Sequence, residues 1–307
     1  MSDLPIVFNR RAVRRNRDRA AAGFAAHDFL FREVAERLLD RLDDVTRGFP
    51  LALDLGCRTG LIGQLRKDRG RIETLIQCDL SEAMARAAGP PAAVIDEESL
   101  PFAPATFDLV LSALALHWIN DLPGALVQIR SILKPDGLFL GALFGGDTLK
   151  ELRRALTEAE LALQGGAGPR VAPFADVRDL GALLQRAGFA LPVVDADLIP
   201  VSYADPLRLM RDLRGMGEAN AVAARRAGFS RRGLFAAAAE RYRRAVMPVD
   251  MHSHDAQADG RVVATFEIVY LTAWAPHPGQ QKPLRPGSAK ASLAEALIGK
   301  TKDDPAR

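Results

Sequence analysis

The chain predicts an α/β fold: a seven-stranded, mostly parallel sheet with helices on both faces and a helical cap. Two observations carry this. In the first half, short apolar runs alternate with helical stretches, the pattern of buried parallel strands joined by crossover helices. In the second half, two longer runs rich in branched and aromatic residues follow helical segments and complete the sheet.

Residues Phe29 to Leu42 place Leu30, Val34, Leu38 and Leu42 at helical spacing. A strand follows at Pro50 to Leu55, then glycines 56, 60 and 63 and a helix over Leu61 to Lys67. The second strand, Ile72 to Cys78, runs into Asp79, and Ser81 with Glu82 opens a helix as N-cap and first-turn acid. Val94-Ile95 is a brief third strand, Phe107 to Ser112 the fourth and Leu138 to Leu143 the fifth. A helix over Leu122 to Leu133 precedes a turn at Lys134-Pro-Asp-Gly137. Beyond it, helices are expected over Thr148 to Leu163, Asp176 to Ala187, Pro206 to Met216 and Arg231 to Val246. Strands are expected over about Leu191 to Tyr203 and, after an Asp259-Gly260 turn, Val262 to Trp274. Four segments result: a basic arm (1–46), a ligand-binding core (47–147), cap helices with closing strands (148–275) and a flexible tail (276–307).

Composition narrows the function classes. A net charge of +3 and 6% aromatic residues give no stacking platform along a basic stripe, so nucleic acid is not expected as a partner. Two cysteines, Cys57 and Cys78, form neither a disulfide framework nor a zinc site and suit a reducing compartment. The apolar run Leu109 to Ile119 is too short to span a membrane, and the N-terminus has no apolar signal core. A cytoplasmic protein is expected. Arg10, Arg11, Arg14, Arg15, Arg17 and Arg19 crowd one segment, readable as a solvated helix face, a partner- or lipid-facing arm, or a lid. Acids at Asp28, Glu33, Glu36 and Asp40 continue that stretch, unlike an acid-poor transit peptide, so the arm reads as part of the mature protein.

The chemistry concentrates at strand ends. Asp54-Leu-Gly-Cys-Arg-Thr-Gly60 joins the first strand to a helix, and its glycines allow close backbone approach to a ligand. Asp54 can accept from a ligand ammonium. Asp79, one helix and one strand later, can chelate ribose hydroxyls. Asp96 can accept from an adenine amino group, with Glu97 offering backbone. Each alone also reads as a helix cap; three carboxylates on three consecutive strand ends are more specific.

With these residues, the chain resembles the class I S-adenosylmethionine-dependent methyltransferases of the type 11 group, a Rossmann-like fold. The resemblance adds Thr106-Phe-Asp-Leu-Val110 and Leu133-Lys-Pro-Asp-Gly137. It implies S-adenosylmethionine as cofactor, held by Asp54, Gly56, Cys57, Gly60, Asp79, Leu80, Asp96, Glu97 and Ser112. Arg58 departs from the pattern, standing where the family has a glycine, so its side chain must turn away from the cofactor or pair with its carboxylate. A narrower resemblance rests on Leu114 to Pro123, Phe144 to Leu152, Ala172 to Gly181, Asp212 to Asn220 and Gly287-Ser-Ala289, and points to the fifth assembly factor family of respiratory complex I. It implies a protein substrate, the iron–sulfur subunit beside the quinone site, with hydroxylation of an arginine as the described reaction. The Leu-His-Trp segment fits equally the methyltransferase that esterifies malonyl-carrier protein.

His117 and Asp147 are the candidate catalytic residues. His117 lies where the family places the methyl group, as base or substrate contact, with a structural histidine the alternative. Asp147, after strand five, suits a guanidinium or caps the next helix. Asp212, Arg214 and Glu218 are candidates to line the same cap, or to pair among themselves. Methyl transfer needs chiefly positioning, whereas hydroxylation would need dioxygen together with a redox metal. His252-Ser-His-Asp255 reads as a solvated loop rather than a metal triad, so no metal site is expected. Three functions stay open: a protein-modifying enzyme, a non-catalytic assembly chaperone that binds the cofactor, and a carboxyl O-methyltransferase acting on a small molecule or acyl carrier. Contact with a membrane through the arginine arm is compatible with any of them.

Overall fold

The computed structural model describes residues 6–67, 69–226, 228–245 and 261–280. The chain divides into one unit ending at Pro276 and a second beginning at His277. Of the second, a turn in which the Gln280 N–H donates to the His277 carbonyl is described. Most of the tail, the His252 to Asp255 cluster and the Asp259-Gly260 turn lie outside the described residues.

The first unit opens with α1 (Arg10–Ala20), capped by the Asn9 side chain, and α2 (Phe29–Asp43). The predicted apolar stripe of α2 is buried from Leu30 to Leu42 along one face, where each large aliphatic side chain contributes about 1.5–3 kcal/mol. Then follow β1 (Phe49–Leu55), α3 (Leu61–Arg66), β2 (Ile72–Asp79), α4 (Glu82–Ala88), β3 (Ala92–Val94), β4 (Phe107–Ala113), α5 (Leu122–Ile132) and β5 (Leu133–Phe144). The Ser81 hydroxyl caps α4 by accepting from the Met84 N–H, as its sequence position predicts. The second half supplies α6 (Lys150–Gln164), α7 (Val177–Arg186), β6 (Ala190–Tyr203), α8 (Pro206–Gly215), α9 (Arg232–Ala245) and β7 (Val262–Trp274).

The seven strands form one sheet in the order β3-β2-β1-β4-β5-β7-β6. The first five are parallel; β7 runs antiparallel to β5, and β6 antiparallel to β7. Two apolar layers flank it, one under α2, α6 and α9 and one under α5 and α7. Parallel crossovers put the C-terminal ends of β1 to β5 on one edge, where a ligand site belongs.

Three local expectations shift, the first being the third strand, which spans Ala92–Val94 instead of Val94-Ile95. Lys134 to Gly137 lies within β5 as a bulge, because Leu133 already pairs with Phe107 and the register slips before Leu138 meets Leu109. Helix α6 begins at Lys150 rather than Thr148, since Leu149 adopts φ +56° and blocks earlier helical geometry. Strand β6 closes the sheet as an edge strand. It carries Pro192 and Pro200, and Asp195 and Asp197 pair with Arg41 and Arg37 of α2. No helix among the described residues is long and apolar enough to cross a membrane.

Candidate active site

The loop after β1 is fixed by backbone bonds: the Gly56 and Cys57 N–H groups both donate to the Cys78 carbonyl, at 2.7 and 2.8 Å. Gly56 sits at φ +80°, and a Cβ there would stand 2.1 Å from the Ala115 methyl carbon. Gly56→Ala is therefore expected to cost about 2–4 kcal/mol in urea unfolding. Adding Ala115→Gly should restore part of that loss, and an unchanged double variant would show that strain at φ +80° alone is responsible. Gly60, at φ +79°, opens α3 against Gln77.

Asp54 ends in an unusual setting. It is 1% exposed, and neither carboxylate oxygen has a hydrogen-bond partner among the described residues. Burial, aided by the neighbouring charge of Asp79, pushes its pKa up to about 8. Such an orphaned carboxyl waits for a donor. Asp79 is the opposite case: Oδ1 accepts from the Ser81 N–H at 2.8 Å and Arg17 at 3.2 Å, and Oδ2 from the Arg58 N–H at 3.1 Å.

The arm supplies the counter-charge. In α1, Arg10, Val13, Arg17 and Ala20 share one face at helical spacing. Arg17 is fully buried and donates to Glu97 Oε1 at 2.5 Å as well as to Asp79. Arg10 donates to Glu97 Oε2 and, at 2.6 Å, to Asp96 Oδ1. Burial works to raise the pKa of Glu97, but Arg17 and Arg10 outweigh it and hold the carboxyl down at about 2. The inner face of the arm is thus a lid on the carboxylates, while Arg11, Arg14, Arg15 and Arg19 are exposed. Of the readings of the arginine run, the solvated face fits Arg11, Arg14, Arg15 and Arg19, while Arg10 and Arg17 turn inward. The arm is latched by the Phe8↔Val222 bridge and by Asn120 Oδ1, which accepts from the Val7 and Phe8 N–H groups.

Arg58 turns away from Asp79. Its guanidinium donates to the Leu114 carbonyl at 3.0 Å and to Glu218 Oε1 at 2.6 Å, and lies 5.1 Å from the centre of the Phe31 ring. Glu218 Oε2 accepts from Trp118 Nε1 at 2.6 Å and meets His117 Nε2 at 3.1 Å. Burial lowers the His117 pKa, keeping the ring neutral. Burial acts to raise Glu218, but His117, Arg58 and Arg17 bring it below the usual carboxylate range. With His117 neutral, the ion pair is the one to Arg58. An ionised Glu218 only accepts, so the imidazole hydrogen sits on Nε2 and leaves Nδ1 as an acceptor without a partner among the described residues.

Above this network lies a cavity of about 290 Å³. Trp118, Phe144 and Phe174 form its aromatic wall, and Thr148, Glu218, Arg170 and Arg214 stand on its lining.

The sequence-predicted residues fall into groups. Asp54, Gly56, Asp79, Asp96 and Glu97 meet around the loop, with Glu97 contributing its side chain where backbone was expected. Cys57 is buried beside them, its thiol pushed well above the usual range first by burial. Leu80 packs with Phe8, Val13 and Trp118. Ser112 is a buried strand residue whose hydroxyl donates to the Leu55 carbonyl at 2.8 Å. Asp147 is not at the site. It is exposed and pairs with Lys150 at 2.9 Å, and because α6 starts later it caps nothing. Asp212 pairs with His27 at 2.9 Å, whereas Glu218 and Arg214 do reach the cavity. Arg10 and Arg17 as buried ligands of carboxylates were missed; their spacing of seven beside Val13 and Ala20 was the available signal. Among the described residues no cluster of His, Cys, Asp and Glu could hold a metal.

The donor set suits an amino-acid nucleoside such as S-adenosylmethionine at one end. Among the described residues Asp54 lacks a donor, while the Nε and one terminal nitrogen of both Arg17 and Arg58 lack acceptors. A zwitterion answers both needs.

Residues 53–141 match the methyltransferase domain family. Among solved structures, the YcgJ protein from Bacillus subtilis aligns with a TM-score of 0.53 at 15% identity, over 79% of this chain and 99% of that one. Phosphoethanolamine N-methyltransferase 2 of Haemonchus contortus, in complex with phosphomonomethylethanolamine and S-adenosylhomocysteine, aligns at 0.51 with 18% identity, over 86% and 60%. Sheet order, glycine loop and these alignments define a methyltransferase-fold protein. Whole-chain relatives narrow this. The arginine-hydroxylase NDUFAF5, mitochondrial, of Danio rerio is 45% identical over 97% of this chain and 92% of its own length, and that of Homo sapiens 46% over 94% and 83%. The chain belongs to the arginine-hydroxylase NDUFAF5 family. A malonyl-[acyl-carrier protein] O-methyltransferase from Methylovorus is more distant, at 35% over 88% and 90%.

Proposed function

We propose that the chain is an S-adenosylmethionine-dependent enzyme that modifies an arginine side chain of a protein, the quinone-site iron–sulfur subunit, during assembly of respiratory complex I. The observation that carries this reading is Glu218: in one buried site it already holds a guanidinium, that of Arg58, at the edge of an aromatic cavity next to the glycine loop. Aromatic faces and a carboxylate are the chemistry that receives a cationic, planar side chain. The relatives' name, arginine-hydroxylase, supports the same substrate class.

In this reading S-adenosylmethionine supplies an electrophilic methyl group when bound. The chain's own residues do the rest. Asp54 accepts from an ammonium, Asp79 and Glu97 answer hydroxyl and amino donors once Arg17 yields them, and Trp118, Phe144 and Phe174 exclude water. His117 lies behind Trp118 and Phe144 and does not line the cavity, so its neutral Nδ1 takes the proton of the substrate nitrogen only when that aromatic wall opens. The reading assigns a basic arm (1–46), a cofactor core (47–147), a cap with closing strands (148–275) and a tail (276–307). It places the protein in the cytoplasm at the inner face of a membrane, with Arg11, Arg14 and Arg15 toward anionic headgroups.

The deciding measurement is the peptide mass of the iron–sulfur subunit from cells with and without the gene. A gene-dependent gain of one oxygen on an arginine makes the chain a hydroxylase; a gain of one methyl group makes it a methyltransferase. Glu218→Gln should abolish either gain. An unchanged mass would reject the proposal and leave the non-catalytic assembly chaperone and the carboxyl O-methyltransferase, the second of which the 35% identical relative supports and malonyl-ester formation would detect.

A further inference from the structure

Beside the cavity runs a groove of about 680 Å³ between α1 and α8. Arg19 rises from α1, Arg211 and Arg214 from α8, and Asn16 and His27 form its floor. Groove and cavity share Arg214 and Ala219, so the two lie side by side. Close packing builds the floor: a Cβ on Gly215 would stand 2.2 Å from the His27 ring. The Asn16 side chain also donates to the Ala219 carbonyl at 2.8 Å, tying α1 to the cap.

The charges in this groove are not balanced within the chain. Many arginines of the described residues pair with a carboxylate, among them Arg10, Arg17, Arg37, Arg41 and Arg58. Arg19, Arg211 and Arg214 have no carboxylate partner among the described residues; Arg211 donates only to the Leu207 carbonyl, at 3.4 Å. Asp212, next to Arg211 on α8, does not line the groove; it is taken by His27 and lies 3.9 Å from Arg208. Three like charges converging on one concave surface repel one another, and an anion entering between them is bound by focused field as well as by direct hydrogen bonds.

We propose that this groove is the docking site for an acidic segment of the protein substrate, lying next in sequence to the side chain that enters the cavity. The proposal rests on the protein-modification reading and names what that reading leaves open, the sequence context of the target. A side chain inserted beside Glu218 leaves its own backbone at the mouth, where Arg214 and Ala219 stand. The residues flanking it then cross Arg211 and Arg19. Specificity follows from two opposite requirements set side by side: a cation in the cavity and carboxylates along the groove.

The test is fluorescence anisotropy on the full chain with synthetic peptides holding one central arginine flanked by aspartates or by asparagines. The aspartate peptide is expected to bind roughly tenfold more tightly, with an affinity that falls steeply as salt rises. Arg19→Glu/Arg211→Glu should erase that preference and favour a lysine-flanked peptide, leaving melting temperature and S-adenosylhomocysteine affinity unchanged. Equal binding of the aspartate and asparagine peptides would overturn the groove. So would a double variant that keeps the acidic preference, or one that loses only phosphatidylglycerol vesicles or malonyl-carrier protein. Replacing the central arginine by alanine separates the two claims. If acid dependence survives but the arginine adds no affinity, the groove stands and the arginine reading falls.

Discussion

Asp54→Asn is expected to stabilise the protein at alkaline pH, by an amount on the order of 5 kcal/mol at pH 9, read from urea unfolding. The sign follows from the buried carboxyl. Its folded pKa of about 8 stands far above the unfolded value near 3.8. Between those values the native state keeps a proton that the unfolded chain has released, so wild-type stability falls as pH rises through the window and levels off above about 8. Below about pH 4 both states are protonated, and the variant should gain nothing. An asparagine removes the slope because it has no proton to lose. The same carboxyl predicts a second signal. A ligand ammonium placed against Asp54 restores its ionised form, so binding of S-adenosylhomocysteine at pH 7 should release about one proton. Calorimetry in buffers of different ionisation enthalpy measures that release, which should vanish in Asp54→Asn along with much of the affinity. A wild-type stability flat between pH 5 and 9 would mean that Asp54 finds a donor in solution.

Glu97→Ala is expected to cost about 3–5 kcal/mol, the scale for stranding a buried charge. Arg17 would keep Asp79 alone, and Arg10 would keep the partly exposed Asp96, Glu98 at 3.9 Å and the Trp118 carbonyl. The arm should then leave its seat, and trypsin should cut at Arg11, Arg14 and Arg15 at times when the wild type is intact. Adding Arg17→Met removes the stranded charge while keeping its apolar stem, and should recover a large part of the loss. If Glu97→Ala unfolds no earlier than wild type, the buried pairing in the arm contributes nothing net.

The ends of β1 and β2 were legible because each apolar run stops at a carboxylate, and a strand of known length places its last residue. Asp54 and Asp79 needed nothing more. The third strand did not resolve as well: with two adjacent acids, the chain bends after Val94 and it is Glu97, not Asp96, that turns fully inward. Glu218 lies far along the chain, in a Gly-Met-Gly-Glu segment whose pairing with Arg58, His117 and Trp118 is entirely long-range. No local pattern announces such a contact. Arg17 was obscured by its neighbours, since a run of arginines reads as solvated and a guanidinium is buried only where carboxylates are already gathered. Asp147 failed for a local reason, the left-handed Leu149 that delays α6 and leaves the acid in solvent.

Strand β6 bears on how the protein behaves among copies of itself. Its outer rim is long, 14 residues, and bears exposed Leu191, Val193 and Leu198. A flat rim of that length invites another chain to add a strand and start a fibre-like stack. Two prolines leave gaps in the row of donors, and the Asp195–Arg41 and Asp197–Arg37 pairs set charges against the approach. The rim is finished rather than left open, so copies of the chain meet there as charged surfaces and not as templates for one another.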